Sequence, residues 1–348
     1  MDAPRSWRVE CRCLARGLVV ASLAAFVLLF QPPPSARAAD LPLVRIAHGA
    51  FNEKVEALWT GVEQGFFRKH GVNVEVINIR SGPQTVAALA SGDIQIAYTI
   101  PGTVLSAAAA GMDVVFFAGL VNRADGDFVV APNIRSAEDL KGKRVGVQSI
   151  GGGVWSLAML ALEHLKVDVP RDKIAMIVAG DQSVLTQAMA SGAIDAAYLG
   201  YTFSTLLKDK GFRVLLDIGK APIAYQGLAL AARRGYLAQN AAMVDAVLRG
   251  VIDSVAFIHN PEKRDVVVKS LTKNLKIKTA EAESGYEVLQ WLYGLDVRPN
   301  LKGIQNMQRL LTVTNAKVKD IKIDAVVDDA PVQRLEASGY LRGKRTTS

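Results

Sequence analysis

The sequence predicts an α/β protein made of two similar lobes, each built on a parallel sheet, joined by a two-strand hinge. A repeat is the first observation: "ALASGDIQIAYTIPG", starting at Ala88, recurs as "AMASGAIDAAYLGYT", starting at Ala188. The second is that apolar, strand-like segments alternate with amphipathic helical ones in both copies, a pattern typical of βα units. The third is that two extended segments connect the copies, which predicts a hinge.

Both copies show the same order of predicted elements. The strands read "LVRIAHG", "VNVEVINI", "IQIAYT" and "DVVFFAGL" in the first copy, and "RVGVQS", "KIAMIVAG", "IDAAYLG" and "RVLLDIG" in the second. The helix after each second strand has a start signal, Pro83 in one copy and Asp181 or Ser183 in the other. Both helices end at a glycine, Gly92 or Gly192, that can adopt the left-handed conformation. An alternative stays open: alanine-rich βα runs align partly because the fold itself requires glycine at helix ends.

The N-terminus predicts a secretory signal peptide over residues 1–39. Four arginines, from Arg5 to Arg16, precede an uncharged apolar run from Gly17 to Phe30, and an Ala-Arg-Ala pattern follows at 36–38. Basic, apolar and small-residue regions in this order are typical of a cleaved export signal. A membrane anchor is the alternative, but the run is shorter than the ~20 residues that a spanning helix needs. We expect maturation near Ala39 or Asp40.

Cleavage changes the composition. Both cysteines, Cys11 and Cys13, lie in the signal, so the mature chain has none. A disulfide, a thiolate metal site, a cysteine nucleophile and a lipid-modified cysteine are therefore excluded for it. The formal charge of +8 falls to +5, because residues 1–39 carry five arginines against one aspartate and one glutamate. This excess forms no Lys/Arg stripe, so we expect no nucleic-acid partner.

Two extended crossings predict the division into lobes. They are "RADGDFVVAPN" and "APIAYQGLALAARRGYL". Lobe 1 is predicted to comprise residues 40–122 plus 227–348, and lobe 2 residues 123–226 including the hinge strands. The C-terminal part shows helical apolar spacing in five segments, from "AAMVDAVLRGVIDSVAFIHN" to "DDAPVQRLEASGYL". We expect these helices to pack against lobe 1.

Candidate ligand-binding residues follow from the predicted strand ends. In open α/β sheets a ligand binds beyond the carboxyl ends of the strands, where helix N-termini point. Two such lobes facing each other make a cleft. The residues predicted to line it are His48, Gly49, Ala50, Phe51, Arg80, Ser81, Tyr98, Thr99, Ile100, Ser149, Gly151, Gly152, Gly153, Asp181, Gln182, Gly200, Tyr201 and Tyr225.

The glycine triplet at 151–153 is the most informative of these. Without side chains, its backbone N–H groups can approach an anion at the N-terminus of the following helix. A plain flexible turn is the alternative, and the spacing matches neither a P-loop nor a dinucleotide fingerprint. Arg80 can pair with a carboxylate or sulfonate, or it is a solvated strand-end arginine. His48 and Phe51 either line the cleft or pack at a strand end, and the histidine spacing resembles no metal site.

Several segments together resemble a known family. They are "ALASGDIQIAYTIPG", "SAEDLKGKRVGV", the glycine triplet, "YQGLALAAR" and "VVDDAPVQRLEASGYL". They resemble the NMT1/THI5-like, SsuA/TauA group of periplasmic solute-binding proteins, which serve importers of nitrate, sulfonate, taurine and related solutes. The resemblance implies a type II-like, two-lobed periplasmic-binding-protein fold that binds a solute without catalysis, cofactor or metal. It also implies a monomer, free in the periplasm, that delivers the solute to an ABC permease and ATPase in the inner membrane.

Two other functions stay open at this point. A secreted enzyme can use the same cleft, although the predicted loops show no acid–base pair, nucleophile–base set or metal cluster. A ligand-loaded sensor that docks on a membrane kinase would have the same sequence features as an importer component. The ligand is open too, because aromatic carboxylates, sulfonates, nitrate and amidine-like pyrimidines are all plausible guests. An anion is expected from the helix-end site.

Overall fold

The computed structural model describes residues 41–79 and 82–345. The predicted signal peptide and its cleavage position therefore lie outside the described residues, as do Arg80 and Ser81. Within the described ranges, ten strands form two five-stranded sheets. The strands are β1 (Leu43–His48), β2 (Asn73–Asn78), β3 (Ile96–Thr99), β4 (Val114–Gly119), β5 (Asp127–Val130), β6 (Arg144–Val147), β7 (Ala175–Val178), β8 (Ala196–Leu199), β9 (Arg213–Asp217) and β10 (Ala229–Arg233).

The helices surround both sheets. The α-helices of the described part are α1 (Glu56–Glu63), α2 (Phe66–Lys69), α3 (Gly82–Ser91), α4 (Pro101–Ala109), α5 (Gly153–His164), α6 (Gln182–Ala190), α7 (Tyr201–Lys208), α8 (Arg234–Gln239), α9 (Ala241–His259), α10 (Arg264–Leu275), α11 (Thr279–Leu292), α12 (Leu301–Leu311), α13 (Ala330–Ala337) and α14 (Tyr340–Arg345). Short 3-10 turns span Glu53–Val55, Glu138–Leu140, Ile218–Lys220, Pro261–Lys263, Ala316–Asp320 and Ile323–Val326. None of these described helices is long and apolar enough to cross a bilayer.

The sheets are mixed rather than wholly parallel. The first has the strand order β2-β1-β3-β10-β4 and the second β7-β6-β8-β5-β9. In each, one strand runs antiparallel to both of its neighbours: β10 between β3 and β4, and β5 between β8 and β9. The parallel-sheet prediction is corrected here, because β5 and β10 each follow a hinge crossing instead of a helical crossover and enter the sheet of the other lobe in the antiparallel direction. We call the first sheet with its helices lobe 1 and the second lobe 2.

The hinge consists of two chain segments, residues 120–126 and 221–228, that pair with each other. The Gly227 N–H donates to the Val121 carbonyl at 2.7 Å, and the Val121 N–H donates to the Leu228 carbonyl at 3.1 Å. Arg123 and Ala224 extend this pairing as an antiparallel bridge. The paired residues lie on both sides of the predicted lobe boundaries at residues 122/123 and 226/227. The exact boundaries therefore stay a prediction.

The repeated helices begin and end as the sequence predicts. The Asp181 side chain caps α6 by accepting from the backbone N–H of Ser183 at 3.1 Å and of Val184 at 3.3 Å. Gly92 and Gly192, which follow α3 and α6, have φ values of 84° and 74°. Only glycine adopts this conformation without steric cost. Both helices therefore end at equivalent positions of the repeat, and β3 and β8 follow them after equivalent turns.

The C-terminal helices contact lobe 1, and two of them also contact lobe 2. Helix α9 lies against α1 and α2, and α13 lies against α9 and β4, all within lobe 1. Helix α11, however, also contacts α7, and α12 contacts α5. An ion pair between Arg309 and Glu163, at 2.7 Å, joins α12 to α5. Helices α11 and α12 therefore contact both lobes.

Lobe 1 buries an acid in the first turn of α1. The side chain of Glu56 is fully buried, and the Thr60 hydroxyl donates to its Oε1 at 2.7 Å. Burial raises the pKa of this carboxyl from 4.5 to about 8. The folded protein therefore binds more protons than the unfolded chain between these two pH values. Its free energy of unfolding falls as pH rises through that window.

We expect Glu56→Gln to remove this pH dependence. The amide keeps the shape of the carboxyl but cannot ionise, so the variant should gain stability relative to the parent as pH rises from 5 to 8. Denaturant unfolding of both proteins at the two pH values measures the gain. If the free energies of unfolding of the two proteins change by the same amount between pH 5 and pH 8, Glu56 is not held neutral in the fold.

Candidate functional site

A cavity of about 770 Å³ lies between the two lobes. Its walls are the loops after β1, β3 and β6, the first turns of α3 to α6, and the C-terminal end of α12. The carboxyl ends of strands from both sheets thus face one space, as the βα architecture requires. Cavities of about 300–1,000 Å³ are typical of small-molecule sites.

The structure brings most of the predicted site residues to this cavity. Twelve of them line it: Gly49, Ala50, Phe51, Thr99, Ile100, Ser149, Gly151, Gly152, Gly153, Asp181, Gln182 and Tyr225. They come from lobe 1, lobe 2 and the returning hinge segment. Arg80 and Ser81 lie outside the described residues. That any of these residues contacts a ligand stays a prediction.

Two helices present uncapped N-termini to the cavity. Helix α4 begins after Ile100 and α5 after Gly152, and neither N-cap residue supplies a side-chain hydrogen bond to the first turn. Helix α6 differs, because Asp181 occupies two of its free N–H groups. In the glycine triplet the left-handed residue is Gly151, with φ 77°. The first turns of α4 and α5 carry partial positive charge that favours an anion.

The lobes meet closely beside these two helix ends. A Cβ placed on Gly102, in the first turn of α4, would lie 2.5 Å from the Gly151 carbonyl oxygen. That distance is shorter than any van der Waals contact, and the atom it meets belongs to the backbone. Only a residue without a side chain at position 102 therefore allows lobe 2 to approach lobe 1 this closely.

A buried ion pair joins the lobes at the hinge end of the cavity. The Nζ atom of Lys54 lies 2.6 Å from Asp125 Oδ1 and 3.0 Å from the Tyr198 hydroxyl. Lys54 follows the first strand of lobe 1, Asp125 is in the hinge, and Tyr198 is in β8 of lobe 2. The Asp125 side chain is fully buried, and that of Lys54 is 7% exposed. Burial opposes the charge of Lys54, but the neighbouring carboxylates raise its pKa above the ordinary value.

Glu53, next to Lys54, also reaches across to lobe 2. Its side chain is fully buried, and its Oε2 accepts from the Thr202 hydroxyl at 3.2 Å. Burial raises the pKa of Glu53, although the charge of Lys54 acts in the opposite direction. Its Oε1 has no hydrogen-bond partner among the described residues. The two consecutive residues of lobe 1 therefore bind the hinge and both β8 and α7 of lobe 2.

His48 lies behind the cavity wall. It is 4% exposed, and its Nδ1 lies 2.8 Å from the Ala50 carbonyl oxygen. Burial lowers the pKa of its imidazole, so the neutral ring donates Nδ1–H to that carbonyl. The ring also contacts Trp59 edge to face. Its position is that of a residue that shapes the loop at 49–51.

Three more candidates lie outside the lining. The Tyr98 hydroxyl donates to the Lys54 backbone carbonyl at 2.9 Å, in the core of lobe 1. Gly200 donates its N–H to Gln182 Oε1 at 2.7 Å and precedes α7. The Tyr201 hydroxyl donates to Asp217, and its ring packs edge to face against Trp291. The polar groups of these three residues bond to other groups of the protein and lie outside the cavity lining. We therefore assign the three residues a structural role next to the site.

Sequence reasoning did not identify the residues that line the cavity at its hinge end. Lys54 and Tyr198 line the cavity together with Asn52 and Gln148. One signal was present: Tyr98 and Tyr198 occupy equivalent positions of the repeat, so selecting one suggests the other. No local signal marks Asp125, because its pairing with Lys54 depends on the hinge geometry.

Comparisons with known proteins find relatives that are named as binding proteins. A family model described as NMT1/THI5 like matches residues 52–264, which is more than half of the chain. A Brucella abortus (strain 2308) protein named as a binding protein is 28% identical over 177 residues, 51% of this chain and 53% of the relative. The taurine-binding periplasmic protein of Escherichia coli (strain K12) is 30% identical over 154 residues, 44% of this chain and 46% of the relative. The chain thus spans about half the length of these curated relatives.

A solved structure extends the likeness to the fold. The crystal structure of the periplasmic aliphatic sulphonate binding protein SsuA from Escherichia coli aligns with a TM-score of 0.68 at 21% identity. The alignment covers 82% of this chain and 92% of that one. At this identity the likeness concerns the fold alone. It confirms the prediction of a two-lobed periplasmic-binding-protein fold.

We expect the buried pair to behave as one unit in a double-mutant cycle. Lys54→Met leaves the buried Asp125 carboxylate without its cation, which should lower the free energy of unfolding by about 3–5 kcal/mol. Adding Asp125→Asn removes the unpaired charge, so the double variant should lose much less than the sum of the single losses. Urea unfolding of the four proteins gives the coupling. Additive losses would show that the two side chains do not depend on each other.

Proposed function

Because the chain belongs to the NMT1/THI5-like family, we propose that it is the substrate-binding component of an ABC importer. In this proposal it acts in the periplasm, where the predicted signal peptide would send it, and captures a small anionic solute in the cavity between its lobes. It then delivers the solute to a permease and ATPase complex in the inner membrane. The taurine-binding relative supports an acidic solute.

One observation carries the proposal. The uncapped N-termini of α4 from lobe 1 and α5 from lobe 2 border the same interlobe cavity. An anion between them interacts favourably with both lobes at once, whereas in an open form it would interact with only one. It therefore binds the closed form better and shifts the hinge equilibrium toward closure. The permease would recognise the closed form.

The environment of His48 supports binding rather than catalysis. A general base must reach the substrate, but the ring of His48 is buried and lies outside the lining of the cavity. The amine of Lys54 is held by Asp125 and Tyr198. We therefore propose that the cavity holds its solute unchanged.

A screen of small anions tests the proposed function. We expect at least one of nitrate, taurine, ethanesulfonate or benzoate to raise the unfolding midpoint of the mature chain, with a shift that grows with the logarithm of its concentration above Kd. Binding to the folded state adds about 2.7 kcal/mol at a hundredfold excess over Kd. Differential scanning fluorimetry with choline as the cationic control gives the result. Stabilisation by choline and by no anion would contradict an anion site.

One substitution at the contact between the lobes tests whether closure is needed for binding of an anion found in the screen. Gly102→Ala places a methyl group against the Gly151 carbonyl, so it should hold the lobes apart and weaken binding about tenfold or more, a loss of about 1.4 kcal/mol. Stability without solute should not fall, because alanine favours a helix over glycine. Gly235→Ala is the matched control, since a Cβ there meets no atom within 4 Å. Unchanged affinity in Gly102→Ala, measured by calorimetry, would show that closure is not needed.

A further inference from the structure

We propose that closure of the cleft takes up one proton from the solvent onto Glu53, so that the protein binds its solute more tightly in acidic than in alkaline solution. This inference rests on the proposed function and adds a regulation of the same site. Three features of the structure carry it: the position of Glu53 between the lobes, the missing partner of one of its oxygens, and the charges around it.

Groups from both lobes enclose Glu53. It lies in the 3-10 turn that follows β1 of lobe 1, and its side chain is fully buried. On the side of lobe 2, the Thr202 hydroxyl lies 3.2 Å from its Oε2, and a Cβ on Gly200 would lie 3.3 Å from its Oε1. On the other side, a Cβ on Gly285 of α11 would lie 3.4 Å from the Glu53 Cβ. Lobe 2 thus forms the wall that faces both carboxyl oxygens.

The carboxyl group of Glu53 has fewer hydrogen bonds than a buried carboxylate needs. Its Oε2 is bonded to Thr202, whereas its Oε1 is buried without a hydrogen-bond partner among the described residues. A buried charge is tolerated when an opposite charge and hydrogen bonds satisfy it, and it is strongly unfavourable otherwise. A neutral carboxyl group avoids most of this penalty. The arrangement therefore favours the protonated form.

The charges around Glu53 point the same way. The titratable groups near it belong to three parts of the chain: Lys54 of the same turn, Asp125 of the hinge and Tyr198 of β8. The ammonium group of Lys54 is paired with Asp125 at 2.6 Å, so one cation serves two buried carboxyl groups. Helices α7 and α11 face Glu53 with Thr202 and Gly285, which carry no charge. Burial raises the pKa of Glu53, while the charge of Lys54 lowers it and that of Asp125 raises it.

Opening of the hinge reverses the burial of Glu53. Gly200 and Thr202 move away with lobe 2, so water reaches the carboxyl group and its pKa returns toward the ordinary value. Between these two pKa values the closed form holds one proton more than the open form. Affinity for the solute is therefore greatest below the pKa of the open form. It falls as pH rises, by at most about tenfold per pH unit, and becomes constant above the pKa of the closed form.

The test is a calorimetric titration of a protein of residues 40–348 with nitrate, taurine, ethanesulfonate and benzoate, whose acidic groups stay ionised from pH 5 to pH 8. For each anion that binds, we expect Kd to rise about tenfold or more over this range. Titrations in two buffers of different ionisation enthalpy, at the pH where Kd changes most steeply, should show uptake of up to about one proton per bound anion. A constant Kd without proton uptake would overturn the inference and leave the anion-binding function standing. No binding of any of the four anions at any pH would overturn both.

Two matched substitutions assign the proton to its residue. Glu53→Gln keeps the shape of the neutral carboxyl group but cannot ionise, so its Kd should stay near the value of the parent at pH 5 across the whole range, without proton uptake. Glu56→Gln is the control: Glu56 is equally buried, but its partner Thr60 belongs to the same helix of lobe 1, so opening leaves its surroundings unchanged. This variant should keep the pH dependence of the parent. Binding that varies with pH in Glu53→Gln as it does in the parent, or that loses its pH dependence in Glu56→Gln, would overturn the assignment to Glu53.

Discussion

The buried ion pair between Lys54 and Asp125 is the interaction on which the interlobe arrangement depends. A charge removed from water is tolerated only when an opposite charge and hydrogen bonds satisfy it. Here the ammonium group of lobe 1 meets the carboxylate of the hinge and the hydroxyl of Tyr198 from lobe 2. The two lobes and the hinge must therefore come together at one point for the ammonium group of Lys54 to be satisfied. Lys54 and Tyr198 also line the cavity at this point.

Much of the surrounding structure holds Lys54 in place. The hydroxyl groups of Tyr98 and Tyr293 both donate to its backbone carbonyl, at 2.9 and 2.7 Å. Asn52 caps the 3-10 turn that contains it by accepting from its N–H at 3.2 Å. The strand β3, the C-terminal helices and the loop after β1 thus converge on one residue. Away from this point the lobes meet through Gly102 and Gly151, where backbone approaches backbone.

Local features of the sequence predicted the elements and their order well. Equivalent strands and helices recur about 100 residues apart, and the helices before β3 and β8 each end at a left-handed glycine, Gly92 or Gly192. Such signals act over a few residues and are visible in one sequence. Strand-end loops were predicted to face a cleft for the same reason, since chain direction alone places them at one edge of the sheet.

Contacts between residues far apart in the sequence could not be predicted from such local signals. The antiparallel entry of β5 and β10 depends on which sheet the chain reaches after crossing, and apolar segments such as "DFVV" fit either. Lys54 and Asp125 are 71 residues apart, and no spacing rule links them. Tyr98 and Tyr198 have equivalent sequence positions but different roles: one binds the carbonyl of Lys54 and the other its ammonium group. Small differences between the lobes, not the repeat, decide which residues line the cavity.

The most direct measurement of the central claim, that the lobes close on an anionic solute, is the distance between them in solution. Residues 40–348 contain no cysteine, so in a protein of these residues Ala87→Cys in α3 and Gln187→Cys in α6 introduce a unique pair of spin labels at exposed positions, one in each lobe. Pulsed electron paramagnetic resonance then reports the distance distribution with and without a bound sulfonate. We predict a longer or broader distribution without solute and a single shorter distance with it. Identical distributions at saturating solute would contradict closure.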